Sequence, residues 1–114
     1  MIYALVSDLF FADTVMRVAR SVNEPVVTFT DVQALCRAVY QGPVPDMALV
    51  ELPLWDPALG ECLQGVSHVA GYGPHVAQEQ FRAARTQGVS PLWANSALVQ
   101  KLGPWIESCR PAQP

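Results

Sequence analysis

Charged side chains are scarce in this sequence. Asp, Glu, Lys and Arg make up 15% of its 114 residues, where a soluble domain usually carries about a quarter. Lysine occurs once, at Lys101. The formal net charge is −3, so the basic footprint of a nucleic-acid-binding domain is missing and no nucleic acid is expected as partner. Long apolar runs are missing too: none approaches the roughly 18 residues needed to span a bilayer, and no membrane association is expected. The first residues, MIYALVSDLFFAD, lack a basic leader and carry Asp8 early, unlike a secretory signal peptide. The expected location is the cytoplasm. Cysteine is limited to three, an odd number without CxxC or His-spaced partners. That pattern predicts reduced thiols, no metal site and no thiol-redox site.

What is abundant is apolar. Hydrophobic residues make up 51%, which excludes intrinsic disorder, and the length suits one core. With so little charge, more apolar surface is left exposed, and large exposed patches mark interfaces. A homo-oligomer or an obligate partner is therefore expected.

The hydrophobic period alternates along the chain. Short apolar runs predict strands at 1–6 (MIYALV), 24–30 (containing PVVTFT), 47–52 (MALVEL), 68–72 and 89–94. Between them apolar residues recur at helical spacing: Phe11, Val15, Val18, Ala19 and Val22, then Val32, Leu35, Cys36 and Val39. Thr30 or Asp31 is placed to cap that second helix. A brief helix is expected around Leu59, Cys62 and Leu63. Pro74 suits the first position of a fourth helix that buries Val76, Ala77, Phe81 and Ala84 and ends at Gly88. A last helix opens at Ser96 and is expected to break at Gly103-Pro104. Strand–helix alternation implies right-handed crossovers and a parallel sheet covered on both faces. The predicted architecture is an α/β doubly wound (βα)5 domain over 1–109, with 110–114 as a short tail.

In such folds chemistry sits at the carboxyl ends of the strands, here Ser7-Asp8, Glu51-Leu52-Pro53, Gly71-Tyr72-Gly73 and Ala94-Asn95-Ser96. The third strand, Asp46-Met47-Ala48-Leu49-Val50-Glu51-Leu52 with Pro53 after it, resembles that of response-regulator receiver domains, a flavodoxin-like family. The element order, helix lengths and total length also match, over 1–109. The resemblance implies a two-component signalling domain whose aspartate, at the end of strand three, accepts phosphate beside Mg²⁺.

Position by position the family's site is degenerate. Ser7 and Asp8 stand where the family has an acidic pair. Glu51 replaces the phosphoacceptor aspartate. Gly71 or Tyr72 stands at the hydroxyl position, and Ala94 or Asn95 at the lysine. Lys101 falls too far along the last helix to substitute. Phosphoryl transfer needs an in-line nucleophile and cations on the transferring oxygens, and Glu51 is one methylene too long. Asp8 and Glu51 would hold Mg²⁺ weakly, so no catalytic residue, resident metal or cofactor is expected. Glu51 is either a fixed imitation of a phosphorylated aspartate or a solvated relic. The family's strand-five aromatic falls at Pro91 or Leu92, which leaves a mimic little to bias.

Other candidates carry two readings each. Gly71-Tyr72-Gly73-Pro74-His75 is either a tight turn or an anion site at a helix start; the dinucleotide pattern lacks its third glycine and Pro74 removes a donor. His68 reads as a strand-edge histidine and Cys36 as core packing. Cys62 and Cys109 have no partner. Nothing resembles a nucleophile elbow. Trp55 is expected in the loop over the site. Trp93 and Trp105 either fill the core or, with Gln80, Arg85 and Lys101, form the face of helix four, strand five and helix five that receivers use for partners.

The sequence thus predicts a stand-alone, non-enzymatic pseudo-receiver that contacts another protein and forms a homodimer through that face. The alternative is a small-molecule or anion-binding domain whose cleft holds Asp8, Glu51, Tyr72 and His75, lined by Tyr72 or Trp55. A working phosphoacceptor is the third reading.

Overall fold

Each of the five predicted apolar runs forms a strand, and all pair in parallel. The computed structural model describes residues 1–110. The strands are β1 (Ile2–Leu5), β2 (Val26–Phe29), β3 (Met47–Glu51), β4 (His68–Gly73) and β5 (Leu92–Ala94), in the order β2-β1-β3-β4-β5. The helices are α1 (Leu9–Ser21), α2 (Val32–Gln41), α3 (Pro57–Cys62), α4 (Gln78–Thr86) and α5 (Leu98–Cys109). Short 3-10 turns follow β3 at Leu52–Leu54 and β5 at Asn95–Ala97. The order switches beside β1, so the ends of β1 and β3 flank the crevice where this topology places a site. Among the described residues, no helix is long and apolar enough to cross a membrane.

Two apolar layers cover the sheet. Ile2, Ala4, Met47, Leu49, Ala70 and Tyr72 pack against Val15 and Ala19 of α1 and Leu98, Leu102 and Ile106 of α5. On the other face Tyr3, Leu5, Ala48 and Val50 meet Leu35 and Val39 of α2 and Leu59, Cys62 and Leu63 near α3. The central strands are buried on both faces, which is why they read as continuous apolar runs. Caps fix three helix starts, that of α3 through Asp56, which accepts from the Ala58 amide. Asp8 accepts from the amides of Phe10 and Phe11, and Asp31, rather than Thr30, accepts from that of Ala34. Gly88 takes φ +91 after α4, a conformation that favours glycine.

Three local expectations are corrected. Helix α4 starts at Gln78 rather than Pro74, because the Ala77 amide closes a turn onto the Pro74 carbonyl; Val76 is left 90% exposed instead of buried. Helix α5 continues through Pro104. Leu102, Trp105 and Ile106 are buried on either side of that proline, whose ring faces solvent, so core packing outweighs one missing hydrogen bond. The cysteines are not all free: Cys36 on α2 and Cys62 on α3 form a disulfide with a Cα–Cα distance of 5.6 Å. Helix packing brings together two cysteines whose sequence spacing gave no sign of pairing. Cys109 is a free thiol, and burial raises its pKa.

Arg110, which the sequence places in the tail, is anchored. Its Nε donates to Glu24 Oε1 at 3.2 Å, and its Nη2 donates to the Val22 carbonyl. The rest of the expected tail, 111–114, lies outside the described residues.

Candidate functional site

Parallel pairing sets the site. Glu51 is in register with Tyr72, and Tyr72 with Trp93, so the last residue of β3 lies directly beside an aromatic from β4. Glu51 extends the stripe that Met47 and Leu49 send towards α1 and α5. It is therefore turned inwards, and only 8% of it is exposed. An ionised carboxylate in that position needs hydrogen bonds. The Ser7 hydroxyl donates to Oε2 at 2.5 Å, and the Tyr72 hydroxyl, 3.4 Å from Oε1, supplies a longer contact. The solvated-relic reading of Glu51 is thereby corrected: the carboxylate is buried and held.

Tyr72 forms the floor of this arrangement. It is fully buried, and its ring lies 5.4 Å from that of Phe11 on α1. Burial, the adjoining Glu51 carboxylate and its hydrogen bond, and more distantly Asp8, push the phenol far above the ordinary tyrosine range. Tyr72 therefore remains a neutral donor to Glu51. Asp8 sits at the rim, with Oδ1 occupied by the Phe10 and Phe11 amides at 2.8 and 3.3 Å.

The opening above these groups is a depression of about 230 Å³ lined by Ser7, Asp8, Phe11, Glu51, Pro53, Pro74 and Asn95. That is below the range of about 300–1,000 Å³ typical of ligand pockets. Among the described residues, no lysine or arginine lines it. Asn95, at the start of the 3-10 turn after β5, brings a neutral amide where a phosphate would need a cation, and Lys101 is exposed on α5. Among the described residues no three His, Cys, Asp or Glu side chains are grouped as a metal site. With its carboxylate bonded and mostly buried, Glu51 is poorly presented for in-line attack on a phosphoryl group.

The structure places Ser7, Asp8, Glu51 and Asn95 around the depression, with Tyr72 against Glu51, and separates other candidates. Tyr72 lies beneath the depression rather than lining it. Trp55 is not over it at all; it packs between the two clusters beneath α3 and α4. His75 lies with Gln78, Phe81, Arg82 and Arg85 along α4, and Gly71 is pressed against Leu52. An anion in the strand-end cleft would face Asp8 and Glu51 without a cation, so the geometry disfavours the anion-binding alternative. Sequence reasoning missed Phe11 as a lining residue. It also missed the Ser7–Glu51 bond, whose only signal is that polar residues end two apolar strands that become neighbours.

Of the expected partner face, Arg85 and Lys101 are exposed and Gln80 is half-buried. Trp105 is only 9% exposed, with its ring 5.8 Å from Trp93 and nearly perpendicular to it. Trp105 therefore belongs to the core, and Trp93 is half-buried against it.

No family model matches this sequence, and no curated protein matches it. Solved structures do resemble the fold. A CheY-like response regulator receiver domain from Methanospirillum hungatei JF-1 has a TM-score of 0.74 at 12% identity, over 95% of this chain and 94% of that one. A response regulator receiver domain from Rhodospirillum rubrum gives 0.70 at 15% identity, over 94% and 93%. The phosphorylated cyanobacterial phytochrome response regulator RcpA gives 0.69 at 15% identity, over 94% and 88%. The chain has a receiver-like, flavodoxin-like fold, as the sequence resemblance implies.

Proposed function

We propose that this protein is a pseudo-receiver: a signalling module on the receiver fold that acts through contacts with another protein and does not accept a phosphoryl group. One observation carries the reading. Glu51, at the acceptor position, is buried and bonded to Ser7 and Tyr72, and no cation lines the depression above it. A receiver that responds to phosphate needs an accessible carboxylate and a positive charge to hold the product. Here the carboxylate belongs to the packing of the strand ends, so the domain is held in one arrangement.

Output must then pass through the surface. The face of α4, β5 and α5 is the proposed contact, with Arg85 and Lys101 at its surface and Trp93 partly accessible, and the proposed assembly is a homodimer in the cytoplasm. Val99, 60% exposed on α5, adds apolar area to the same helix.

The test is an intact mass after incubation with Mg²⁺ and acetyl phosphate. An unchanged mass is expected. A gain of about 80 Da, one phosphoryl group, would overturn the silent-site reading. Light scattering tests the dimer separately: a monomer mass across the accessible concentration range removes the homodimer and leaves contact with a different protein.

A further inference from the structure

The contact between α2 and α3 carries chemistry outside the strand-end site. Helix α3 has six residues, well below the length at which a helix holds itself in water. It is kept in place by the burial of Leu59, Cys62 and Leu63 and by the bond from Cys62 to Cys36. The two sulfurs are not equally accessible: Cys62 is 3% exposed, whereas Cys36 is partly open to solvent. Cys36 Sγ lies 3.8 Å from the Ala58 carbonyl oxygen at the start of α3.

Helix α3 also borders a groove. Trp55, Gly60, Leu63, Gln64 and Val66 face Gln87 across a space of about 270 Å³ between α3 and the end of α4. Gly60 lies so close to the Gln87 carboxamide that a Cβ there would overlap it. A shift of α3 would therefore displace Gln87 and alter the groove beside Trp55.

We infer that Cys36 and Cys62 form a reversible dithiol–disulfide site, whose oxidation state decides whether α3 and the groove beside it are held or loosened. The reactant class is a low-molecular-weight thiol and its disulfide, such as glutathione. A glutathione thiolate attacks Cys36 Sγ, the accessible sulfur. The Cys36–Cys62 bond breaks, a mixed disulfide forms on Cys36, and the Cys62 thiolate takes up a proton. A second glutathione thiolate attacks the mixed disulfide, releasing glutathione disulfide and the Cys36 thiolate, which is protonated in turn. Two electrons pass from two glutathiones to the pair, and the reverse sequence restores the bond. This inference does not depend on the silence of the Glu51 site.

The test uses the natural sequence. The chain is equilibrated with glutathione disulfide or with reduced glutathione, alkylated under denaturing conditions and weighed. One alkyl group, on Cys109, is expected after oxidation, and three after reduction, one for each cysteine. Three groups in both samples, or one in both, would overturn the reversible pair. Amide exchange across 57–66 is then compared between the two states. Exchange roughly tenfold faster in the reduced chain, with β1 and β3 unchanged, supports the clasp. Equal exchange across 57–66 would show that the bond does not govern α3 and would sink the proposal. A Cys36→Ser variant should exchange like the reduced chain in both buffers, but the comparison of the natural chain decides the matter without it.

Discussion

The Ser7 hydroxyl and the Glu51 carboxylate meet at 2.5 Å across the ends of β1 and β3, and this is the shortest hydrogen bond at the strand-end site. Ser7→Ala would leave Glu51 buried with only the longer contact from Tyr72. An inadequately satisfied buried charged acceptor costs about 1–3 kcal/mol. Urea unfolding should show that loss, with an unchanged slope against denaturant. A loss below about 0.5 kcal/mol, within the range of ordinary surface substitutions, would mean that water replaces the serine and that Glu51 is more accessible than its burial indicates.

Tyr72→Phe should behave differently. Its hydroxyl is 3.4 Å from Glu51, a weak separation for an O–H···O bond, so at neutral pH the expected loss is below about 1 kcal/mol and smaller than for Ser7→Ala. The contrast lies at high pH. The folded phenol has a pKa raised above the ordinary tyrosine value of 10.0, so its stabilising effect is fully present below pH 10 and is lost as pH rises beyond it. Unfolding curves collected on either side of pH 10 should show a steeper alkaline fall for the natural chain than for Tyr72→Phe. Equal slopes would contradict the burial of the phenol.

At the opposite end of the sheet, Glu24 receives the Met1 ammonium at 2.5 Å and the Arg110 guanidinium at 3.2 Å. Burial lowers the pKa of the Met1 amine, but hydrogen bonds and charge from Glu24 and Asp46 outweigh it and raise the value above 8.0. The resulting stabilisation is fully present below pH 8.0 and fades as pH rises through the folded value. Glu24→Gln should cost about 1–2 kcal/mol near neutral pH, a modest figure because the amine and Arg110 are partly solvated. It should also flatten the fall in melting temperature between pH 8 and 10. A fall as steep as in the natural chain would show that another group titrates there.

How much of this was legible in the sequence follows from how local each signal is. The strands showed as apolar runs, and α1 and α2 as spaced apolar faces, because burial of one stripe imposes a period. The cap of α2 showed for the same local reason, although Thr30 and Asp31 were both open to it, whereas Asp8 as the cap of α1 was not read from the sequence. Features that depend on elements meeting were hidden. Pro104 reads as a breaker until Trp105 and Ile106 are seen anchoring the turn after it. Cys36 and Cys62 meet only once α2 and α3 pack. The positions of the degenerate site could be named because topology fixes strand ends, but whether Glu51 faced water or the core depended on its register with Tyr72.

Gly71, one of the two residues that the sequence offers for the hydroxyl position, has no room for a side chain. A Cβ there would come within 2.8 Å of Leu52 Cδ2 and 3.1 Å of Leu92 Cδ2, and Leu52 is fully buried. The turn after β3 has thus packed into space that a side chain at 71 would occupy. Gly71→Ala should cost about 1–3 kcal/mol through overpacking, and Gly71→Thr more. Leu52→Ala alone should cost about 2–5 kcal/mol, the usual range for a buried leucine. If the two side chains compete for one volume, the double variant should lose less than the sum of the single losses, by at least about 0.5 kcal/mol. Additive losses in that cycle would mean that Leu52 is not what excludes a side chain from position 71, and the clash would have to be sought at Leu92 instead.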